Sequence, residues 1–239
     1  MNSWIFKTPI AHRGLHNSVS PENSLSSFKN AIKKKHAIEL DVRFTADGKI
    51  IVFHDKTTER LTDKSLIVQE TNFEDLTKLK IGNSKETIPT LEKSLSTING
   101  QVPILIEIKN EYEVGPLEKE LVKQLKSYPH KFAIQSFNPW SLKEIKKLDP
   151  KIEVGLLSGS FSKSSLGGLS KFVLKNLLLV PYVAPDFLSL EYESFSGFQK
   201  TIANTFNSKK IIFWTIRDQE RSSVLKRLNV NFIYEGIEL

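Results

Sequence analysis

Residues 37–55 read AIELDVRFTADGKIIVFHD, and the spacing inside this stretch decides the fold. A strand-like run, 37–42, is followed after Thr45-Ala46-Asp47-Gly48-Lys49 by a second run, 50–54. A parallel crossover needs about a dozen or more residues, whereas Asp-Gly is a hairpin turn signal. The second run is therefore predicted to fold back antiparallel to the first, as an excursion from the main sheet. Working outward, the remaining strand-like runs lie at 9–12, 103–109, 132–136, 152–157, 186–190, 210–216 and 231–234. Helix-length amphipathic segments separate several of them, at 24–35, 116–128 and 139–148. Such alternation belongs to parallel α/β sheets. With the hairpin strand set aside, eight parallel-type strands remain in 239 residues, the typical size of a (β/α)8 TIM barrel. A doubly wound open sheet is the alternative architecture.

From 56 to 90 the pattern is mixed and polar, with Phe73, Leu76 and Leu79 at helical spacing. This predicts a small insertion after the hairpin, at the same end of the barrel. No internal repeat, low-complexity tract or polar linker divides the chain, so residues 1–239 read as a single domain. An apolar fraction of 39% with 26% charged residues excludes intrinsic disorder. The absence of cysteine excludes disulfide scaffolds, zinc-thiolate sites and cysteine nucleophiles, and leaves any metal to oxygen or imidazole ligands. Lysine and arginine outnumber aspartate and glutamate by 34 to 27, a net charge of +7. Lys33, Lys34 and Lys35 close a predicted helix, where cations suit the dipole and the solvent. The surplus is read as a solvated surface, and no nucleic-acid partner is expected.

Trp4, Ile5 and Phe6 stand near the N-terminus without a secretory core or a small-residue cleavage site, so cytoplasmic residence is expected. The most apolar later stretch, 172–183, is broken by Lys175, Asn176 and Pro181 and falls far short of the ~20 residues of a membrane span. Two readings apply to 172–180: a core helix, or an exposed face beside Lys163, Lys171 and Lys175 suited to peripheral membrane contact.

The chemistry gathers at strand ends. The first strand ends in His12-Arg13-Gly14, and Glu39 and Asp41 are two residues apart on the second, so both carboxylates project from one face. Two adjacent acids repel unless a cation lies between them, and oxygen ligands suit Mg²⁺ or Ca²⁺. Pairing with Arg13 and Arg43 is the competing explanation. His54-Asp55 closes the hairpin strand, and Glu107-Ile108-Lys109 ends the next parallel one. All parallel strand ends converge on one barrel face, so His12, Arg13, Glu39, Asp41, His54, Glu107 and Lys109 are expected in one pocket. A metal, two histidines and two cations make a phosphoryl site. The cations hold non-bridging oxygens, and the histidines exchange donor and acceptor roles.

Ile10-Ala11-His12-Arg13-Gly14, Pro21-Glu22-Asn23-Ser24, Ile38-Glu39-Leu40-Asp41-Val42, Asp47-Gly48, Val52-Phe53-His54-Asp55, Arg60-Leu61-Thr62, Ile88-Pro89-Thr90-Leu91, Ile106-Glu107-Ile108-Lys109 and Trp214-Thr215 together resemble the glycerophosphodiester phosphodiesterases. The resemblance covers essentially the whole chain and is densest from His12 to Lys109. It implies a (β/α)8 barrel that hydrolyses a small-molecule glycerophosphodiester to glycerol 3-phosphate and an alcohol with a divalent metal. By position it implies Glu39, Asp41 and Glu107 as metal ligands, His12 and His54 as acid and base, and Arg13 and Lys109 on the phosphate. The 56–90 stretch resembles the family's small insertion beside the substrate pocket. Two positions depart from the family pattern. Glu235 stands where many relatives end the last strand in Ile-x-Thr-Asp, and Arg217 where many have Asn after Trp-Thr-x.

Outside this constellation the residues have plainer readings. Glu22 and Asn23 either cap the first helix or border the pocket. Trp214 either stacks on the alcohol moiety or packs, Asp55 either orients His54 or solvates a turn, and Arg43 is read as structural. His16 and His36 are read as surface or capping residues and His130 as a turn residue. Alternative activities are a lysophospholipase D reaction at the same site, or a non-catalytic basic barrel that binds anionic lipid or nucleic acid.

Overall fold

The computed structural model describes residues 3–110, 113–162, 166–195, 197–207 and 210–239. Lys163 therefore lies outside the described residues. In chain order the strands are β1 (Ile10–Ala11), β2 (Ala37–Phe44), β3 (Ile50–Val52), β4 (Ile104–Ile108), β5 (Phe132–Ser136), β6 (Val154–Ser158), β7 (Phe187–Glu191), β8 (Ile211–Ile216) and β9 (Phe232–Tyr234). The helices are α1 (Leu25–Lys33), α2 (Phe73–Leu76), α3 (Leu91–Ile98), α4 (Pro116–Leu125), α5 (Pro139–Leu148), α6 (Gly168–Lys175), α7 (Val180–Val183), α8 (Phe198–Asn207) and α9 (Gln219–Arg227).

β1 pairs in parallel with both β2 and β9, which closes the sheet. Among the described residues eight parallel strands form the barrel, and β3 runs antiparallel to β2, pairing Val42 with Val52 and Phe44 with Ile50. The doubly wound alternative is thereby overturned, since an open sheet has no pairing between its first and last strands. The hairpin falls where Asp47-Gly48 placed it, with Gly48 at φ 74°. Strand boundaries elsewhere shift by one or two residues, and two shifts bear on the site. β2 continues to Phe44, and β3 stops at Val52, which leaves His54 two residues beyond the ladder.

Period-2 alternation sorts the strands into an outer surface against the helices and an inner one. Leu40, Ile106, Ile134, Leu156 and Leu188 face the helices within the larger core. Inside the barrel, Ile10, Ala37, Leu105, Ala133, Phe187, Ile212 and Ile233 form an apolar floor with Trp4 and Ile5 of the N-terminal turn beneath them. Gly155 makes room there: a Cβ on it would lie 2.2 Å from the Phe187 ring. The next inward positions toward the C-terminal ends of these strands are Glu39, Glu107, Gln135 and Ser189, all buried and polar. An apolar floor under a polar upper layer directs the chemistry to the C-terminal mouth.

The insertion has a core of its own, in which Ile51 and Phe53 pack with Val68, Leu76, Leu79, Ile81 and Ile88. The core-helix reading of 172–180 is corrected. α6 ends at Lys175 with no buried residue, and within 172–180 the buried side chains are Leu177 and Val180. Lys175, Asn176 and Pro181 interrupt the run, so one long apolar helix cannot form. Among the described residues no helix is long and apolar enough to cross a membrane.

Candidate active site

Backbone geometry at the end of β1 begins the site. Arg13 and Gly14 both take positive φ, 56° and 77°. A Cβ on Gly14 would meet Ser27 Oγ at 2.4 Å, so α1 packs against bare backbone there. This tight turn lets the Arg13 amide donate to Glu39 Oε2 at 2.9 Å, while the amide of His12 donates to the Tyr234 carbonyl. The motif His-Arg-Gly is thus a device for bending the chain over the mouth of the barrel as well as a source of side chains.

Glu39 and Asp41 lie on the inner face of β2, and Asp41 is the register partner of Glu107 on β4. One carboxylate oxygen from each of the three acids lies within 4.8 Å of the others. All three are buried. Lys109 Nζ stands 2.5 Å from Glu107 Oε1 and 3.3 Å from Asp41 Oδ1, and Arg13 Nε stands 3.4 Å from Asp41 Oδ2. Asn23 Nδ2 donates to Asp41 Oδ2 at 2.8 Å. Glu39 Oε1 is buried with no hydrogen-bond partner among the described residues.

The charges explain what this cluster lacks. Three carboxylates face two cations, and Arg13 also spends NH1 on Glu22 Oε1 at 2.6 Å. Burial alone would raise Asp41, but Lys109, His54 and Arg13 overcome it and hold its carboxyl below the usual range. Burial raises Glu39 well above its ordinary value, helped by the charges of Asp41 and Glu107. Burial would lower Lys109, yet Glu107 and Asp41 hold it above the usual lysine value. A surplus of buried negative charge around an orphaned carboxylate oxygen fits a hard divalent cation with oxygen ligands.

The two histidines stand in matching arrangements. His12 Nδ1 is 2.7 Å from Glu235 Oε2, and His54 Nδ1 is 2.6 Å from Asp55 Oδ1. Hydrogen bonding from His12 holds Glu235 down at about 2. Burial alone would raise Asp55, but hydrogen bonds from His54 and Arg60 outweigh it and leave it low. Ionised carboxylates only accept, so each histidine has a proton on Nδ1 and turns Nε2 to other work. Burial pushes His12 down to about 4 against the pull of Glu235, which keeps it neutral near neutral pH. Arg43, read as structural, donates from Nε to the His54 carbonyl at 2.8 Å and so holds the loop carrying that histidine.

All seven residues expected in one pocket are at the C-terminal face, linked through Asp41 and its neighbours. Glu22 does not cap α1, since Ser24 Oγ does so by accepting from the Ser27 amide. Instead Arg60 grips Glu22 with NH1 and NH2 at 2.8 and 2.7 Å and Asp55 with Nε at 2.5 Å. Sequence reasoning missed Arg60, which it saw only as part of a motif. Its sole signal was its place in the insertion between two acids of the constellation. Glu235 is joined by Arg217 NH2 at 2.7 Å, so the two departures from the family pattern are partners. His16, expected at the surface, is half-buried with Nε2 3.8 Å from Glu235 Oε1. Trp214 packs, donating from Nε1 to the Ser189 carbonyl, and meets Phe137 edge-on at 5.6 Å. Phe161 also meets Phe137 edge-on, and Lys109 Nζ lies 5.9 Å from the Phe137 ring. An aromatic wall therefore flanks the cationic side of the site.

A model of the Glycerophosphoryl diester phosphodiesterase family matches residues 12–234. A glycerophosphodiester phosphodiesterase of Caldanaerobacter subterraneus subsp. tengcongensis is 37% identical over 62% of this chain and 65% of its own length, so the aligned part falls just short of two thirds of that relative. One from Bacillus subtilis is 28% identical over 77% of this chain and 70% of its own length. The fold is similar to that of an Oleispira antarctica phosphodiesterase solved in complex with the product sn-glycerol-3-phosphate. That likeness has a TM-score of 0.80 and 23% identity, and covers 95% of this chain and 92% of the other.

Proposed function

The chain belongs to the glycerophosphoryl diester phosphodiesterase family of hydrolases, and on that premise we propose that it cleaves glycerophosphodiesters to sn-glycerol 3-phosphate and an alcohol. The observation that carries the reading is the convergence on Asp41. Three buried carboxylates, two half-buried cations and two carboxylate-backed histidines share the mouth of the barrel. Residues 1–239 act in this reading as one catalytic domain, with the 56–90 insertion beside the pocket.

Glu39, Asp41 and Glu107 would hold the cation, Mg²⁺ or Ca²⁺, which when bound supplies positive charge to phosphate oxygens. Arg13 and Lys109 orient the diester by its non-bridging oxygens and stabilise the charge that grows on them. His12, neutral and free at Nε2, takes the proton from the nucleophile, either water or the substrate's own glycerol 2-hydroxyl. His54, held through Nδ1 by the Asp55 carboxylate, gives a proton from its Nε2 to the departing alcohol oxygen. Phe137 and Trp214 exclude water from one side of the phosphate.

Release of glycerol 3-phosphate from a panel of glycerophosphodiesters and lysophospholipids, with and without each cation, tests the reading. Release from at least one soluble diester is expected, and its absence with every substrate and cation overturns the proposal. His12→Ala and His54→Ala should each lower turnover by at least ~10²-fold while the circular dichroism spectrum is kept. Near-normal rates would remove the histidines from their roles.

A further inference from the structure

The segment between β6 and β7 places an apolar surface at the rim of the mouth. Leu169 and Phe172, three residues apart on α6, are 79% and 58% exposed and share a face of the helix. The helix does not run down the flank of the barrel. Ser158 Oγ, at the C-terminal end of β6, lies 3.0 and 3.2 Å from the carbonyls of Leu174 and Lys175, which tethers the far end of α6 to the same rim as the catalytic groups. Gln199 Nε2 donates to the Lys175 carbonyl at 2.6 Å and brings the first turn of α8 alongside, with Phe198 51% exposed. Leu178 is exposed as well.

Charge identifies what this surface meets. Lys171, Lys175 and Lys200 stand among the apolar side chains, and no acidic residue occurs in the sequence between Glu153 and Asp186. Docking on a second copy of the chain would bring lysine against lysine. An anionic lipid surface accepts both halves of the patch, the apolar side chains in the acyl boundary and the ammonium groups among the headgroups. We propose that α6 and the adjoining turn of α8 form a docking surface for an anionic bilayer, which holds the barrel mouth toward the lipid. The proposal does not depend on the catalytic reading, because its test reads binding.

The full chain is sedimented with vesicles of phosphatidylcholine alone and with vesicles partly replaced by phosphatidylglycerol, at low and high salt. Binding is expected to the anionic vesicles and to weaken as salt screens the lysines. Leu169→Ser with Phe172→Ser should reduce the apparent affinity at least about tenfold. Lys171→Glu with Lys175→Glu should abolish the preference for phosphatidylglycerol. Both pairs are at the surface, and an unchanged melting temperature shows that the fold is kept. Absence of vesicle binding by the wild-type chain at low salt overturns the proposal. So does undiminished binding by the Leu169/Phe172 variant, or a wild-type dimer in sedimentation velocity that this variant dissociates.

Discussion

His12 and His54 each spend Nδ1 on a carboxylate, and that choice decides which ring nitrogen is left for substrate. In His12 two effects oppose each other: burial lowers it, and Glu235 raises it without winning. Removing the Glu235 charge should therefore lower His12 further and loosen the ring. Glu235→Gln is expected to reduce kcat about tenfold or more and to move the acid limb of kcat/KM to lower pH. An unmoved limb in the pH–rate profile would assign it to a group other than His12. The residue types at this site were legible as a set, because His-Arg-Gly and Glu-x-Lys each close a strand and Glu-x-Asp puts two acids on one face of another. Which acid serves which histidine was only half legible. Asp55 is next to His54 in sequence, but Glu235 is 223 residues from His12, and barrel closure alone brings them together.

Among the elements, the insertion after β3 reaches furthest into the candidate site. It packs its own apolar cluster and thereby holds Arg60 at the rim, where one guanidinium bridges Glu22 and Asp55. Through Glu22 it reaches Arg13, and through Asp55 it reaches His54. Arg60→Ala should lower kcat/KM by about 10- to 100-fold. The melting temperature should change little, since a half-exposed ion pair contributes only about 0–1 kcal/mol. Lysine cannot reproduce the planar fork, so Arg60→Lys should recover only part of the rate. Parallel loss of stability and rate in these variants would make Arg60 merely structural. The polar, mixed sequence of 56–90 hid this role, because a small loop-rich core has no sustained period to read.

At the scale of the whole molecule, the buried acids would couple the proposed metal binding to stability. The Glu39 carboxyl is raised, so its contribution is fully present below its ordinary value of about 4.5 and is lost as pH rises through the raised one. In chelator, Glu39→Gln should thus melt higher than wild type near neutral pH, and the gap should close as pH falls toward about 4.5. Added Mg²⁺ or Ca²⁺ should raise the wild-type melting temperature, by roughly 2–4 °C for each kcal/mol of binding, and should do little for the variant. Scanning calorimetry checks both, and a wild type indifferent to both cations would remove the metal from the site. By itself the sequence determined the strands, the hairpin turn and the kinds of group at the strand ends. Apolar alternation and the reach of a five-residue connection are local properties that the chain carries wherever it folds. Only the tertiary structure decided that the sheet closes, that Arg217 meets Glu235, that Arg60 joins Glu22 to Asp55 and that α6 lies exposed on the rim. Each of these depends on where distant segments come to rest in space, which no local pattern encodes.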